Sequence, residues 1–193
     1  KYLKKPFPKL SRVHGSRDYF QINHEGYTLE IIPILDIKKA EQAKNITDFS
    51  VHHVKYINKQ TKKSPKLANE IRLAKVFARA NKFYGAESYI KGVSGYVLEI
   101  LVSKYGSFTK FAKNASKWKS KTVIGKLKEA QRLNWAKKLS PLIIIDPVQP
   151  DRNAAAALSN EQYKNIIKFS KKFTKSPSES LFEQQPLNIN KFK

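Results

Sequence analysis

Three side chains in the first third of the chain could take part in phosphate chemistry. Glu30 lies in the apolar run GYTLEIIPIL, where a carboxylate is costly to bury unless it is paired, bound to a metal or on a sheet's exposed face. An exposed position on the sheet and a functional role for the Glu30 carboxylate are equally compatible with the sequence. Ser50 and His53 are three residues apart in SVHHVKYI, so on a helix they would share a face and could contact phosphate oxygens. The alternative for this pair is a helix cap and a surface histidine.

Cationic side chains further along are the next candidates. Lys75 and Arg72 are three residues apart on a predicted helix, which is typical of either a solvated face or a phosphate clamp. Arg152 lies in DPVQPDRN, directly after an apolar strand, and rigid loops at strand ends often bind ligands. It could pair with or stack on a base, or it could form an ion pair with Asp146 or Asp151.

The stretch from residue 104 to residue 138 combines positive charge with aromatic rings. It holds 11 basic residues and a single acid, Glu129, interleaved with Tyr105, Phe108, Phe111, Trp118 and Trp135. Cations neutralise phosphates and ring faces stack on bases, so this stretch favours RNA binding. The alternative is that most of these rings form the core side of basic helices.

Overall composition points to a polyanionic partner. The formal net charge is +23, from 38 Lys and Arg against 15 Asp and Glu, which favours nucleic acid over an anionic membrane. The absence of Cys excludes disulfides and zinc-thiolate sites, and the histidines form no HExxH motif. No apolar run is long enough for a bilayer span or a signal peptide, so we expect a cytoplasmic protein.

Alternating strand-like and helix-like patterns predict an α+β fold. A strand is expected over residues 26–35, with Tyr27, Leu29 and Ile31 on one face. A helix start follows, with Thr47, Asp48 or Ser50 as the expected cap. Amphipathic spacing predicts helices over residues 66–82, 92–106 and from 107, and Ser159 starts another that reaches residue 173. PLIII reads as a buried strand between them.

Four ordered blocks resemble the archaeal-type CCA-adding tRNA nucleotidyltransferases of the polymerase-β-like superfamily. They are NEIRLAKVFARANKFYGAE, GVSGYVLEILVSKYGSF, KNASKWKSKTVI and IIIDPVQPDRNAAAALS, and the resemblance runs from about Arg17 to Phe173. It implies that residues 1–57 are the C-terminal part of a nucleotidyltransferase head and that residues 58–175 are a mainly helical neck. Residues 176–193 would be a linker or a flexible tail.

The resemblance also implies roles for individual residues. LEIIP places Glu30 where the family has its third catalytic Asp, a ligand of Mg²⁺. Ser50, His53, Lys75 and Tyr84 match the family's triphosphate ligands, Arg152 matches the Arg that reads the incoming base, and Arg17 stands near a primer contact. The helix that follows Gly95 would pack behind the nucleotide pocket.

The implied activity is addition of CCA to the tRNA 3′ end from CTP and ATP without a nucleic-acid template. The family's Asp-x-Asp does not occur in this sequence, so we expect a missing segment or a second chain to supply it, and little turnover by this chain alone. The alternative is a non-catalytic RNA-binding relative, and a third possibility is an enzyme that makes oligoadenylate. Met is absent, even at position 1, which suggests a fragment, a processed product or one half of something larger.

Overall fold

A computed structural model describes residues 2–14, 18–38 and 42–184. The chain divides into two compact units, residues 1–54 and residues 55–193. Strands precede helices in the first unit, and the second unit is mainly helical. None of the helices within the described ranges is both long enough and apolar enough to cross a bilayer.

The first unit contains a three-stranded antiparallel sheet in the order β1 (Ser11–Val13), β2 (Tyr19–His24), β3 (Tyr27–Ile31). A two-residue turn joins β2 to β3, with positive φ at Glu25 (50°) and Gly26 (80°), as the tightest hairpins require. The strand expected over residues 26–35 therefore ends at Ile31. Pro33 follows closely, and a proline lacks the N–H that would extend the hairpin ladder.

The first unit continues with a 3₁₀ helix, Ile46–Phe49, which leads directly into α1 (Ser50–Lys63). Its N-cap is Asn45, whose side chain accepts from the backbone N–H of Thr47, and the Asp48 side chain accepts from the Asn45 backbone in return. The expected cap at Thr47, Asp48 or Ser50 is therefore wrong. The reason is that the cap serves the preceding 3₁₀ turn, and the chain is already helical at Ser50.

Four helices build the core of the second unit: α2 (Leu67–Ala80), α3 (Gly95–Tyr105), α4 (Phe108–Ala115) and α6 (Asn160–Lys175). Serine side chains cap the last three, because Ser94, Ser107 and Ser159 each accept from a backbone N–H one turn into the helix. Gly106 ends α3 in the left-handed conformation (φ 86°). The helices predicted for these segments are confirmed.

Five phenylalanines pack together in this core: Phe77, Phe83 and Phe108, which are fully buried, and Phe173 and Phe182, which are partly buried. The closest pair, Phe108 and Phe173, has ring centroids 4.9 Å apart in edge-to-face geometry. Leu181, in a 3₁₀ turn over Glu179–Leu181, is buried in the same core. The expectation of a linker or tail from residue 176 is therefore wrong for this part, because its apolar side chains pack against the helices.

A two-stranded parallel sheet completes the second unit, with β4 (Thr122–Ile124) beside β5 (Leu142–Ile144). The connection between them holds α5 (Leu127–Arg132) and a 3₁₀ turn, Ala136–Lys138. After β5, an isolated bridge between Ile145 and Asn153 closes the loop of residues 146–152. The Asn153 side chain fixes that loop, since its Oδ1 accepts from Ile144 N and Ala155 N while its Nδ2 donates to two backbone carbonyls.

Candidate functional site at the start of helix α3

Lys75 and Tyr84 meet at the first residue of α3. A Cβ atom built on Gly95 would lie 2.9 Å from the Tyr84 hydroxyl oxygen and 3.6 Å from Lys75 Nζ. The absence of a side chain at Gly95 thus leaves room for both groups. Lys75 Nζ also donates to Glu99 Oε1 over 2.6 Å, one turn further along α3. The structure therefore brings together two of the residues that the sequence selects as triphosphate ligands.

Tyr84 is itself held in place by the surrounding elements. The guanidinium of Arg79, on the last turn of α2, lies 4.5 Å above the centre of the Tyr84 ring, a cation–π contact. The Tyr84 backbone pairs with Val93 in an isolated bridge just before α3. Arg79 thus places a second cation at Tyr84, and it is not among the site residues predicted from the sequence.

Arg152 forms an ion pair with Asp146 across the loop after β5. Arg152 Nη1 donates to Asp146 Oδ2 over 2.8 Å, and the Asp146 side chain is completely buried. The other oxygen, Oδ1, accepts from Val148 N at 2.9 Å and from the Tyr96 hydroxyl at 3.0 Å. Of the two ion pairs that the sequence allows for Arg152, the structure forms the one with Asp146, and Asp151 pairs with Lys137 instead.

Tyr96 connects the two groups of side chains. It follows Gly95 in the chain, and its hydroxyl contacts the carboxylate that holds Arg152. Burial and the neighbouring Asp146 charge both raise the pKa of Tyr96 above its ordinary value, so the phenol stays protonated and acts as the donor. The first turn of α3 therefore links Lys75 and Tyr84 on one side to Arg152 on the other. Tyr96, Glu99 and Asp146 are not among the site residues predicted from the sequence. The signal for Glu99 is that a lone acid on an apolar helix usually has a partner.

A cavity of about 330 Å³ borders the loop that carries Arg152. Asp146, Pro147 and Pro150 of the loop line it, together with Tyr56 of α1 and the side chains of Lys104 and Lys126. Both lysines come from the basic stretch that favours RNA binding. Glu129 also lines the cavity, 3.4 Å from Lys126, so its wall carries charges of both signs.

Glu30 lies on β3, an edge strand of the sheet in the first unit. Its side chain is exposed, and Oε1 accepts from Gln21 Nε2 on the paired strand over 2.9 Å. Of the readings that the sequence left open, the structure shows the exposed face. Among residues 2–14, 18–38 and 42–184, no three His, Cys, Asp or Glu side chains lie close enough together to hold a metal ion. The described residues do not by themselves fit a Mg²⁺ site.

Ser50 and His53 lie on the first turn of α1. Ser50 is its first residue and is exposed, and the His53 ring stacks on Phe49 with the centroids 6.3 Å apart. Both belong to the first unit with Glu30, whereas Lys75, Tyr84 and Arg152 belong to the second. Arg17 lies outside the described residues.

Residues 69–183 match a family model described as the second domain of tRNA nucleotidyltransferases. The chain belongs to this family. The match begins in the first turn of α2 and includes Lys75, Tyr84 and Arg152 together with the side chains that hold them. It also agrees with the helical neck that the sequence resemblance implies.

Curated relatives of this chain include CCA-adding enzymes. The enzyme of Nanoarchaeum equitans is 42% identical over 81% of this chain and 41% of its own length. That of Pyrobaculum aerophilum is 36% identical over 88% of this chain and 39% of its own length. The chain thus spans about two fifths of the length of these relatives.

A solved structure has a similar fold at low sequence identity. It is a cytoplasmic RNA terminal U-transferase, with a TM-score of 0.66 over 96% of this chain and 75% of that one, at 13% identity. This likeness agrees with an α+β nucleotidyltransferase architecture.

Proposed function

We propose that this chain is part of a cytoplasmic tRNA nucleotidyltransferase that adds CCA to the tRNA 3′ end from CTP and ATP. The observation that carries the proposal is the arrangement around α3 in a member of this family. Lys75 and Tyr84 meet at Gly95, and the next residue, Tyr96, reaches the ion pair that holds Arg152. The first turn of α3 thus connects Lys75, Tyr84 and Arg152, three of the residues that the resemblance implies bind nucleotide.

In this proposal Lys75 and Tyr84 bind the triphosphate. Lys75 supplies a positive charge and Tyr84 a hydroxyl donor, and the Arg79 guanidinium adds charge beside them. Phosphate oxygens that approach Lys75 would compete with Glu99, which accepts from it at 2.6 Å. Ser50 and His53, three residues apart on α1, are the further residues that we propose to bind triphosphate oxygens.

Arg152 would hydrogen-bond to the incoming base. Its guanidinium has five N–H donors and Asp146 accepts from Nη1, so donors remain for a base and for a phosphate of the tRNA end. Because Asp146 is fixed by Val148 N and Tyr96, the orientation of Arg152 is set before the nucleotide arrives. The base-reading role rests on this preorganisation.

The carboxylates for nucleotidyl transfer must come partly from elsewhere. Glu30 is the carboxylate at the implied catalytic position, and a site that holds Mg²⁺ for phosphoryl chemistry requires several. We propose that a second chain or a further segment supplies an Asp-x-Asp next to Glu30. Arg17 would contact the primer end in the completed site.

A mixing experiment tests the proposal. The chain is combined with an Asp-x-Asp-bearing polypeptide encoded beside it, and incorporation of CTP and ATP into tRNA lacking its 3′ end is measured. We expect incorporation only in the mixture, and its loss with Arg152→Ala. Lys164→Ala is the matched control, because it removes an exposed cation on α6 and should leave the rate unchanged.

The alternative is a non-catalytic RNA-binding relative. Glu30 in place of the family's Asp, and its exposed position bonded to Gln21, favour this reading. Intact tRNA binding by a mixture that never incorporates nucleotide would support the alternative and contradict the enzyme. Polymerisation of ATP without tRNA would instead indicate an enzyme that makes oligoadenylate.

A further inference from the structure

The five aromatic residues of the basic stretch 104–138 differ in how deeply they are buried. Phe108 and Phe111 are completely buried, and Tyr105 packs against the same core. Trp118 stacks on Tyr163, with ring planes 7° apart and centroids at 5.7 Å. Trp135 is 74% exposed. The core thus accounts for four of the rings and leaves one of the two tryptophans on the surface.

Trp135 stands on backbone that is attached to the Arg152 loop. The residue immediately precedes the 3₁₀ turn Ala136–Lys138. Lys137 of that turn is bonded twice to the loop and its closing bridge: its Nζ donates to the Asp151 backbone carbonyl, and its own carbonyl accepts from Asn153 Nδ2 over 3.0 Å. An exposed indole on an anchored backbone has little conformational entropy to lose on binding.

The charges close to Trp135 in the sequence favour a polyanion, and two exposed leucines, Leu127 (62%) and Leu139 (67%), belong to the same segment. Lys126, Lys128 and Arg132 of the neighbouring segment are all exposed, and the acid among them, Glu129, lies 3.4 Å from Lys126. A protein partner would have to cover these cations with carboxylates. The phosphates of a nucleic acid strand neutralise them directly, and the base between two phosphates supplies a flat face for the indole.

We propose that Trp135 is a stacking site for a base in the single-stranded 3′ end of RNA, beside the loop that carries Arg152. The neighbouring cations contact the phosphates of the same strand. The inference rests on the proposed tRNA substrate, because it assigns the contact to the RNA strand and not to the incoming nucleotide. It can be tested by RNA binding without any nucleotide incorporation.

Trp135 can serve as its own reporter. The chain has two tryptophans, and the Nε1 of Trp118 is buried without a hydrogen-bond partner among the described residues. Trp118→Phe therefore loses no hydrogen bond and leaves Trp135 as the single tryptophan. We expect its fluorescence to be quenched by tRNA with a single-stranded 3′ end, and much less by a blunt-ended acceptor stem or by CTP alone.

Binding of the same RNAs by the full chain gives the second measurement. Trp135→Ala should weaken binding of the single-stranded end by about 5- to 100-fold, as expected for the loss of one stacked base, while Trp135→Phe keeps most of the affinity. Tyr89→Ala is the matched control, since Tyr89 is another aromatic on the surface, 84% exposed. The affinity of the Tyr89→Ala variant for the single-stranded end should equal that of the unaltered chain.

Three outcomes would overturn the inference. They are equal affinity of Trp135→Ala and the unaltered chain, equal quenching by blunt and single-stranded RNA, and quenching by an associated protein but not by RNA. A different result would contradict the proposed enzyme activity alone. In that case the mixture binds RNA through Trp135 but never incorporates CTP or ATP.

Discussion

Arg152 and Asp146 form an ion pair of 2.8 Å in which the carboxylate is completely buried and the guanidinium side chain is 29% exposed. The buried partner is the better satisfied one, since Asp146 also accepts from Val148 N, Gln149 N and Tyr96. Asp146 is therefore a positioning residue for Arg152, and the Arg152 side chain keeps an open side for a ligand.

Asp146→Asn should lower the free energy of unfolding by about 2 kcal/mol, because it removes a buried charge-assisted hydrogen bond and turns an amide toward a guanidinium. Urea unfolding measures the change. Asp151→Asn is the control: Asp151 is 73% exposed and 3.4 Å from Lys137, so its loss should change stability by less than about 0.5 kcal/mol. Equal effects of the two substitutions would contradict the positioning role.

The pair of Lys75 and Glu99 should show measurable coupling. Both side chains are about a quarter exposed and the contact is 2.6 Å, so a double-mutant cycle with Lys75→Ala and Glu99→Ala should give an interaction energy of about 1 kcal/mol. Lys126 and Glu129 form a matched pair at 3.4 Å, with Lys126 83% exposed. Their cycle should give a value near zero, and a coupling as large as that of the first pair would refute the expectation.

Two glycines in front of and at the start of α3 should respond differently to alanine. A Cβ on Gly92 would lie 2.2 Å from the Phe83 carbonyl oxygen, which is backbone, whereas a Cβ on Gly95 would meet the hydroxyl end of Tyr84. We expect Gly92→Ala to lower the free energy of unfolding by about 3 kcal/mol and Gly95→Ala by about 1 kcal/mol or less. Thermal and urea unfolding distinguish them, and the reverse order would show that Tyr84 cannot move.

The stability of the chain should depend on Tyr96 at alkaline pH. The pKa of Tyr96 is raised in the folded state by burial and by Asp146. Its contribution is therefore fully present below the unfolded pKa of about 10 and is lost as the pH rises above that value. Tyr96→Phe should be less stable than the unaltered chain at about pH 8, and the difference should shrink at about pH 10.5. For Tyr89→Phe, at an exposed site, the difference in stability from the unaltered chain should be the same at both pH values.

Much of the secondary structure could be predicted because its signals are local. The caps at Ser94, Ser107 and Ser159 and the end of α3 at Gly106 follow from residues within one turn of each other. The strand β4, three residues long, gave no recognisable periodicity. The 3₁₀ turn over Ile46–Phe49 was not predicted, although its reciprocal cap joins Asn45 and Asp48, only three residues apart.

The candidate site was predictable only in part. The resemblance selected Lys75, Tyr84 and Arg152, whereas Glu99, Asp146 and Tyr96 emerge from contacts. Lys75 and Glu99 are 24 residues apart in the chain, and Tyr96 and Asp146 are 50 apart. No spacing rule reaches across such distances, since these pairs depend on how α2, α3 and the loop after β5 pack.

The sequence by itself determined the strong positive charge, the helices with their caps, and the family-like blocks, because each depends on residue type or on neighbours a few positions away. Tertiary structure alone decided which charges neutralise one another and which rings face solvent. Phe111 and Trp135 stand in the same basic stretch, and one is completely buried while the other is 74% exposed. The reason is that burial depends on which surfaces the helices present to one another, and that is settled only when the core closes.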